Sequence, residues 1–561
     1  MILNLNSLKE DKGRIKKWIL ICVLLGSILP SFSFLVVKAK KINSWDNWSF
    51  GSAQLMLTMR HWEEQGFIKN KLLLIPSGYH SKIEFLDQPE FRFLANGTKT
   101  GELIGTRLYY THYPPGYLVP FGLLAKIGIN DRFFYRFLAI LLSTASIFFL
   151  FGFIYFIFNK NFWIAFISAI FYSTSANYLG YADSLANMPI DDFLKYAILF
   201  LSLYSYKSTL PNIKNKLKYL IWSLFFILAL SSYDSTFFVF FWLVALDFIN
   251  AKKISLRSFL IWGSAPVFAF LLQIIQNTWY LGIKDMYLDL WGSFFFRSTQ
   301  APVAISNYPL FFKNIAASLS TIGYFLDART RFVLPIALII VFLIYKFKLF
   351  KLEQWKYTGA LVVSGVVYPM LMPVAGTFGY QGRQMAAFLL MLIAAATYGI
   401  LINLKNLWKK SAVGCVVLLL VIGTVWTFHA KGTYSYVKNW PNNTIDENKI
   451  KIWQEIRKGT EKEVIVVTLE KILSGSEIFF AEFYSDRLFF PFKNLDDLYS
   501  YSIKISDTIG QKNFLAIISE EDRIAFYEIA KKDDKIKIIK EEPQGRGTPA
   551  NYQFYFSIND I

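Results

Sequence analysis

The chain has 561 residues, 54% of them hydrophobic and only 18% charged, with a mean hydropathy of +0.36. Soluble proteins carry roughly 25% charged residues, and a chain with 55 Phe, 32 Tyr and 15 Trp is neither disordered nor collagen-like. The net charge of +19 is uneven: residues 431–561 hold 19 Lys+Arg and 21 Asp+Glu, so the basic excess falls in residues 1–430.

A helix needs about 20 apolar residues to cross a hydrocarbon core. Runs near that length occur at 18–37, 133–158, 162–181, 189–206, 219–232, 235–250, 258–280, 332–346, 357–374, 384–404 and 411–429. They predict a polytopic α-helical membrane protein with about 11 (10–13) transmembrane helices. The start 9–17 and the connections 207–218, 251–257, 346–356 and 405–410 are basic. An even number of runs separates each from the next, so all fit on the cytoplasmic side, with the N-terminus. This distribution is that of membrane insertion, and no nucleic-acid partner is expected. Keeping the alternation requires a break in 219–250, placed at 231–234. The triplet Val37-Lys38-Ala39 resembles a signal-peptide cleavage site, but ten further runs point to an uncleaved first span.

Residues 38–132 form a large outer loop, too long for a connector, and residues 281–331 a second, in which 311–326 is expected to lie at the outer interface. Residues 431–561 read as a soluble extracytoplasmic α/β domain. Helical patterns at 446–458, 494–503 and 520–531 alternate there with strand-like runs at 464–468, 514–518, 535–539 and 552–557. The expected domains are therefore 1–430 and 431–561.

The chain has no P-loop, no GxGxxG after a strand, no HExxH and no metal-type Cys/His spacing, so neither a nucleotide-driven pump nor a cofactor is expected. Its two cysteines, Cys22 and Cys415, sit in apolar runs and form no disulfide framework. What remains are polar residues at the outer ends of spans. These are Trp45-Asp46-Asn47-Trp48, the element Tyr110–Tyr117 with His112 and Pro114-Pro115, Asp183, Asp191-Asp192, Tyr233-Asp234, and 376–384 with Tyr380 and Arg383. A charge at the centre of a span costs at least ~2.5–3.5 kcal/mol, whereas placement at its end is cheap. The structural alternative for each acid is a helix cap: Asp46 for a helix beginning near 47, Asp183 and Asp234 at turns, Asp191-Asp192 at a helix start.

Asp46 a few residues past the first span, Pro114-Pro115 closing the loop, then Gly128, Arg132 or Arg136, and Asp183 after the third span together resemble the GT-C superfamily. The branch it resembles contains protein O-mannosyltransferases and the lipid A aminoarabinose transferase. The chain departs from it at Asn47, where that branch often has Glu, and at Gly116, where it has Leu. The resemblance implies transfer of a sugar from a polyprenyl-phosphate donor, with inversion, to a glycan, lipid or protein acceptor on the extracytoplasmic face. It implies Asp46 as general base and Asp183 as a second catalytic carboxylate, orienting the acceptor. Arg383, His112, Arg297, Tyr380, Asp191, Asp192 and Trp45 become candidate contacts to phosphate or sugar. Readings from other classes are a transporter or flippase of a lipid-linked sugar and a non-catalytic component of envelope-polysaccharide assembly. Against transport, no two halves of the chain show matching Gly/Pro-broken spans.

Overall fold

The computed structural model describes residues 5–46, 48–75, 111, 113–208, 210–252, 255–284, 286, 287, 290, 291, 294, 346, 354–372, 383–403, 443–461, 464–473, 477–509, 512–532, 535–544 and 551–558. In chain order the helices used below are α1 (Leu5–Lys40), α2 (Ser49–Gln65), α3 (Val119–Lys126), α4 (Arg132–Ile157), α5 (Phe162–Ser173), α6 (Ala176–Tyr181), α7 (Met188–Lys207), α8 (Pro211–Ala229), α9 (Tyr233–Ala251), α10 (Leu256–Leu281), α11 (Trp355–Leu371), α12 (Ala386–Asn403), α13 (Glu447–Gly459), α14 (Glu477–Ser485), α15 (Leu495–Ile509) and α16 (Arg523–Lys532). Contacts divide the chain into two units. The first is Met1–Asn47, Asp131–Ile275 and Phe294–Asn443; the second is Trp48–Asn130, Gln276–Ser293 and Thr444–Ile561.

In the first unit, apolar runs become helices and short polar residues start them. Asp131 caps α4 by accepting from the Phe133 N–H, Asn161 caps α5 through Ile164, and Ser232 caps α9 through Ser235. Helices α4 and α7 pack side by side along their length. A Cβ on Gly152 would lie 2.8 Å from the Phe200 ring, so glycine is what lets α7 approach there. Around it Phe149 meets Phe193 and Phe200, and Phe156 meets Phe200 and Tyr204, at ring-centroid separations of 5.5–6.0 Å. Edge-to-face rings of this kind contribute about 0.5–1.5 kcal/mol each beyond the area they bury.

Two expectations need correction. The run 162–181 is not one helix: it breaks after Ser173, where Thr174 Oγ1 bonds back to Ile170 O and Ser175 caps α6. Adjacent hydroxyls that compete for backbone partners end the first segment. The basic stretch 207–218 is not all connector either, because α8 begins at Pro211, whose fixed φ suits a first helical position. The break expected at 231–234 falls between Ala229 and Tyr233. By length and composition, four described helices can cross a membrane: Trp18–Lys40, Arg132–Ile157, Tyr233–Ala251 and Leu256–Leu281. The expected spans at 332–346 (Lys346 apart) and 411–429, and the interfacial helix at 311–326, lie outside the described residues.

The second unit is built on a five-stranded sheet of β1 (Ile465–Leu469), β2 (Phe489–Phe492), β3 (Asn513–Ser519), β4 (Ile536–Gln544) and β5 (Asn551–Ile558), in the order β2-β1-β3-β5-β4. The first three strands are parallel, and β5 and β4 add antiparallel, with Phe514 opposite Phe556 and a bulge between Ile538 and Lys540. β1 is buried at every position, as a parallel strand covered on both faces must be. The core includes Ile465, Val467, Phe490, Phe514, Phe526 and Phe554. β2 and α14 are additions to the sequence reading. Pro491 breaks the strand signal in β2, and the fold tolerates it because β2 is an edge strand with a ladder on one side only. Helix α2 belongs to this unit and docks on α14: Arg60 forms an ion pair with Asp486, donates to Phe483 O at 3.2 Å and lies over the Phe483 ring.

Candidate functional site

The acids singled out at helix ends do not cap those helices. α2 starts after Trp48 with no side-chain cap, and α7 starts after Asn187, so neither Asp46 nor Asp183 is the N-cap residue. Both are fully buried. Asp183 follows α6 and is held from two sides. Lys38 Nζ, in the last turn of α1, donates to Oδ1 at 2.9 Å, and Arg136 of α4 pairs with Oδ2. The other arm of Arg136 donates to Ser44 O at 2.6 Å, tying the segment before Asp46 to the same group. Lys38 lies within electrostatic reach of Asp46 as well. Trp45 is buried, with the Arg132 guanidinium 4.8 Å from its ring centroid. Three distant stretches of the chain, 38–46, 132–136 and 183, therefore meet around one carboxylate.

A second buried group forms where α7, α9 and the residues just before α12 meet. Arg383 Nε lies 3.3 Å from Asp192, and Arg383 Nη2 lies 3.6 Å from Asp191. Asp191 also accepts from Asn187 Nδ2 at 2.6 Å, and Asp192 from Tyr172 OH at 2.9 Å. Lys195 reaches Asp192 at 3.0 Å and Gln384 Oε1 at 3.3 Å. Gln384 Nε2 in turn donates to Asp234 Oδ2 at 2.9 Å and Ser235 Oγ at 3.0 Å. Gly365 of α11 makes this approach feasible. A Cβ there would come within 2.4 Å of Met385 Sδ and 3.1 Å of Gln384 O. Tyr178 is within electrostatic reach of both Asp183 and Asp192.

Such clusters are costly in a low-dielectric interior unless each charge is matched, and nearly all of these are. Arg383, though ion-paired, keeps unspent donors. It is 2% exposed, and neither Nη1 nor Nη2 has a hydrogen-bond partner among the described residues. A planar fork of unspent N–H donors beside fixed carboxylates suits an oxyanion. Among the described residues no group of three His, Cys, Asp or Glu side chains is arranged to hold a metal ion.

The structure thus brings Asp46, Asp183 and Trp45 into one group and Asp191, Asp192 and Arg383 into the other. His112, Arg297 and Tyr380 lie outside the described residues. The sequence reading passed over Lys38, taken there only as part of a cleavage-like triplet. The available signal was a lysine directly after an apolar run, with no acid nearby in the sequence to balance it.

No protein-family profile matches the chain, and no curated protein matches it in sequence. Solved structures do. ArnT from Cupriavidus metallidurans, bound to undecaprenyl phosphate, aligns over 95% of this chain and 97% of its own, with a TM-score of 0.50 at 10% identity. Archaeal oligosaccharyltransferase AglB from Archaeoglobus fulgidus, in complex with an inhibitory peptide and a dolichol-phosphate, aligns over 92% of this chain and 71% of its own, with a TM-score of 0.47 at 12% identity. Arabinofuranosyltransferase AftD from Mycobacteria aligns over 96% and 40%, with a TM-score of 0.45 at 9% identity. These neighbours are GT-C glycosyltransferases. The likeness to ArnT, at 10% identity, is one of fold.

Proposed function

We propose that the protein transfers a sugar from a polyprenyl-phosphate-linked donor to an acceptor on the extracytoplasmic face, inverting the anomeric carbon. The observation that carries this reading is the buried Arg383 fork, with donors unspent, held by Asp191 and Asp192 in the same unit as the Asp46–Asp183 group. It is supported by the fold shared with ArnT, a protein captured with undecaprenyl phosphate.

In this mechanism Asp46 accepts the proton of the acceptor hydroxyl as its oxygen bonds to the anomeric carbon. The bond from that carbon to the phosphate oxygen breaks, and its electron pair leaves with the polyprenyl phosphate. Arg383 donates to the phosphate as charge accumulates, and its preorganisation by Asp191, Asp192 and Lys195 spares reorganisation at that moment. Both Asp183 oxygens are engaged by Lys38 and Arg136. Asp183 therefore acts as a positioning residue, fixing the Ser44–Asp46 segment through Arg136. His112, Arg297, Tyr380 and Trp45 are proposed as further contacts to phosphate or sugar.

The test uses purified protein in lipid, supplied with polyprenyl-phosphate sugars, with release of polyprenyl phosphate and glycosylated product both measured. Replacing Asp46 by Asn should lower turnover by about 10²–10⁴-fold, the usual worth of a general base. Wild-type turnover by Asp46→Asn would refute the base assignment. Release by the wild type from none of the supplied donors would refute glycosyl transfer itself.

A further inference from the structure

Helix α4 has 26 residues, so its two ends are about 39 Å apart. Arg136 sits near the end that carries the Asp183 group. At the other end, the α4–α5 turn and the α7–α8 turn border an open cavity of about 500 Å³, lined by Phe156, Asn159, Lys160, Tyr204, Lys207 and Ser208 among others. That volume lies within the range of about 300–1,000 Å³ typical of ligand sites.

Its charge is one-sided. No Asp or Glu occurs in residues 132–182 or 193–233, whereas Lys160, Lys207, Lys214, Lys216 and Lys218 cluster at this end. Lys207 Nζ donates to Phe156 O at 2.5 Å, which holds its ammonium at the cavity wall. Asn159 and Lys160 adopt left-handed backbone, with φ of 50° and 61°, a conformation that non-glycine residues enter rarely. The Lys160 ammonium makes no hydrogen bond or ion pair among the described residues. Tyr204, Tyr206 and Trp163 stand exposed around this end, as aromatic side chains do at a membrane–water boundary.

We propose that this cavity binds the phosphodiester headgroup of an anionic phospholipid at the face that the basic connections assign to the cytoplasm. Basic pockets between membrane helices on that side suit such headgroups. A lipid is favoured over a soluble anion because the cavity is walled partly by Leu210 and Ile213 and ringed by interfacial aromatics, so acyl chains can remain in the bilayer. This site is independent of the glycosyl-transfer reading.

The experiment titrates phosphatidylglycerol, phosphatidylcholine and inorganic phosphate onto purified full-length protein and counts bound molecules by native mass spectrometry. The wild type should retain phosphatidylglycerol in preference to phosphatidylcholine. Each lysine near an anionic headgroup is worth about fivefold in affinity, so Lys160→Gln with Lys207→Gln should weaken phosphatidylglycerol binding about 25-fold. Lys160→Gln alone, which removes no internal partner, should weaken it about fivefold, and Lys160→Arg should leave it unchanged. Equal retention of the two lipids by the wild type overturns the proposal, as does undiminished phosphatidylglycerol binding by Lys160→Gln. Lysine-dependent displacement of the lipid by inorganic phosphate at equal concentration makes this a soluble-anion site and overturns it too.

Discussion

Lys38 and Asp183 in the helical unit meet at 2.9 Å with neither side chain exposed, whereas Lys449 and Glu477 in the sheet unit meet at 2.7 Å with 42% and 41% of their side chains exposed. The two distances are nearly equal, and the energetics differ by an order of magnitude. Water solvates the sheet-unit pair whether or not it forms, and salt screens it. The helical-unit pair has no such alternative, so losing one member leaves a bare charge in a dry interior. Burial and not distance decides what an ion pair is worth here.

The contrast breaks first at Lys38. Lys38→Met should cost about 3–5 kcal/mol of stability by stranding half of Asp183's countercharge. Thermal unfolding of the purified protein checks this. In a double-mutant cycle, Asp183→Asn added to Lys38→Met should deepen the loss, because Arg136 then keeps a buried charge without the carboxylate it pairs with.

Arg60 lies between the two extremes, with its side chain and that of Asp486 19% and 16% exposed. Arg60→Ala should cost about 1.5–3 kcal/mol, the range for charge-assisted hydrogen bonds, and should loosen α2 from α14. Limited proteolysis would then cut at α2 before it cuts the sheet.

Gly365→Ala asks whether the second buried group tolerates displacement. Met385 Sδ can swing away, but Gln384 O at 3.1 Å must shift by a few tenths of an ångström. The stability loss should be about 1–3 kcal/mol. Because Gln384 holds Asp234 and Lys195, turnover in the proposed reaction should fall further than the thermal midpoint suggests. Lys449→Ala, the smallest effect, should change stability by no more than about 1 kcal/mol in low salt and by nothing measurable in high salt.

The sheet unit was the more legible of the two. The helices at 447–459, 495–509 and 523–532 and the strands at 465–469, 513–519, 536–544 and 551–558 follow from local periodicity, which depends only on which face meets the core. Phe489–Phe492 escaped that reading because a strand of four residues containing Pro491 offers no period to count. Among the described residues of the helical unit, hydropathy missed the break at Thr174-Ser175, since three hydroxyl residues barely change a twenty-residue average.

By itself the sequence determined that this is a membrane protein of long apolar helices with a polar C-terminal α/β region, and that its acids gather at helix ends. Both follow from the cost of placing charge or bare backbone in hydrocarbon, which each segment pays locally. Only the tertiary structure decided which charges face one another: Lys38 and Arg136 on Asp183, Arg383 on Asp191 and Asp192, and Lys160 and Lys207 around an open cavity. Pairing energy depends on a separation of a few ångströms and on exclusion of water, and residues 145 apart in the chain acquire both only when helices pack.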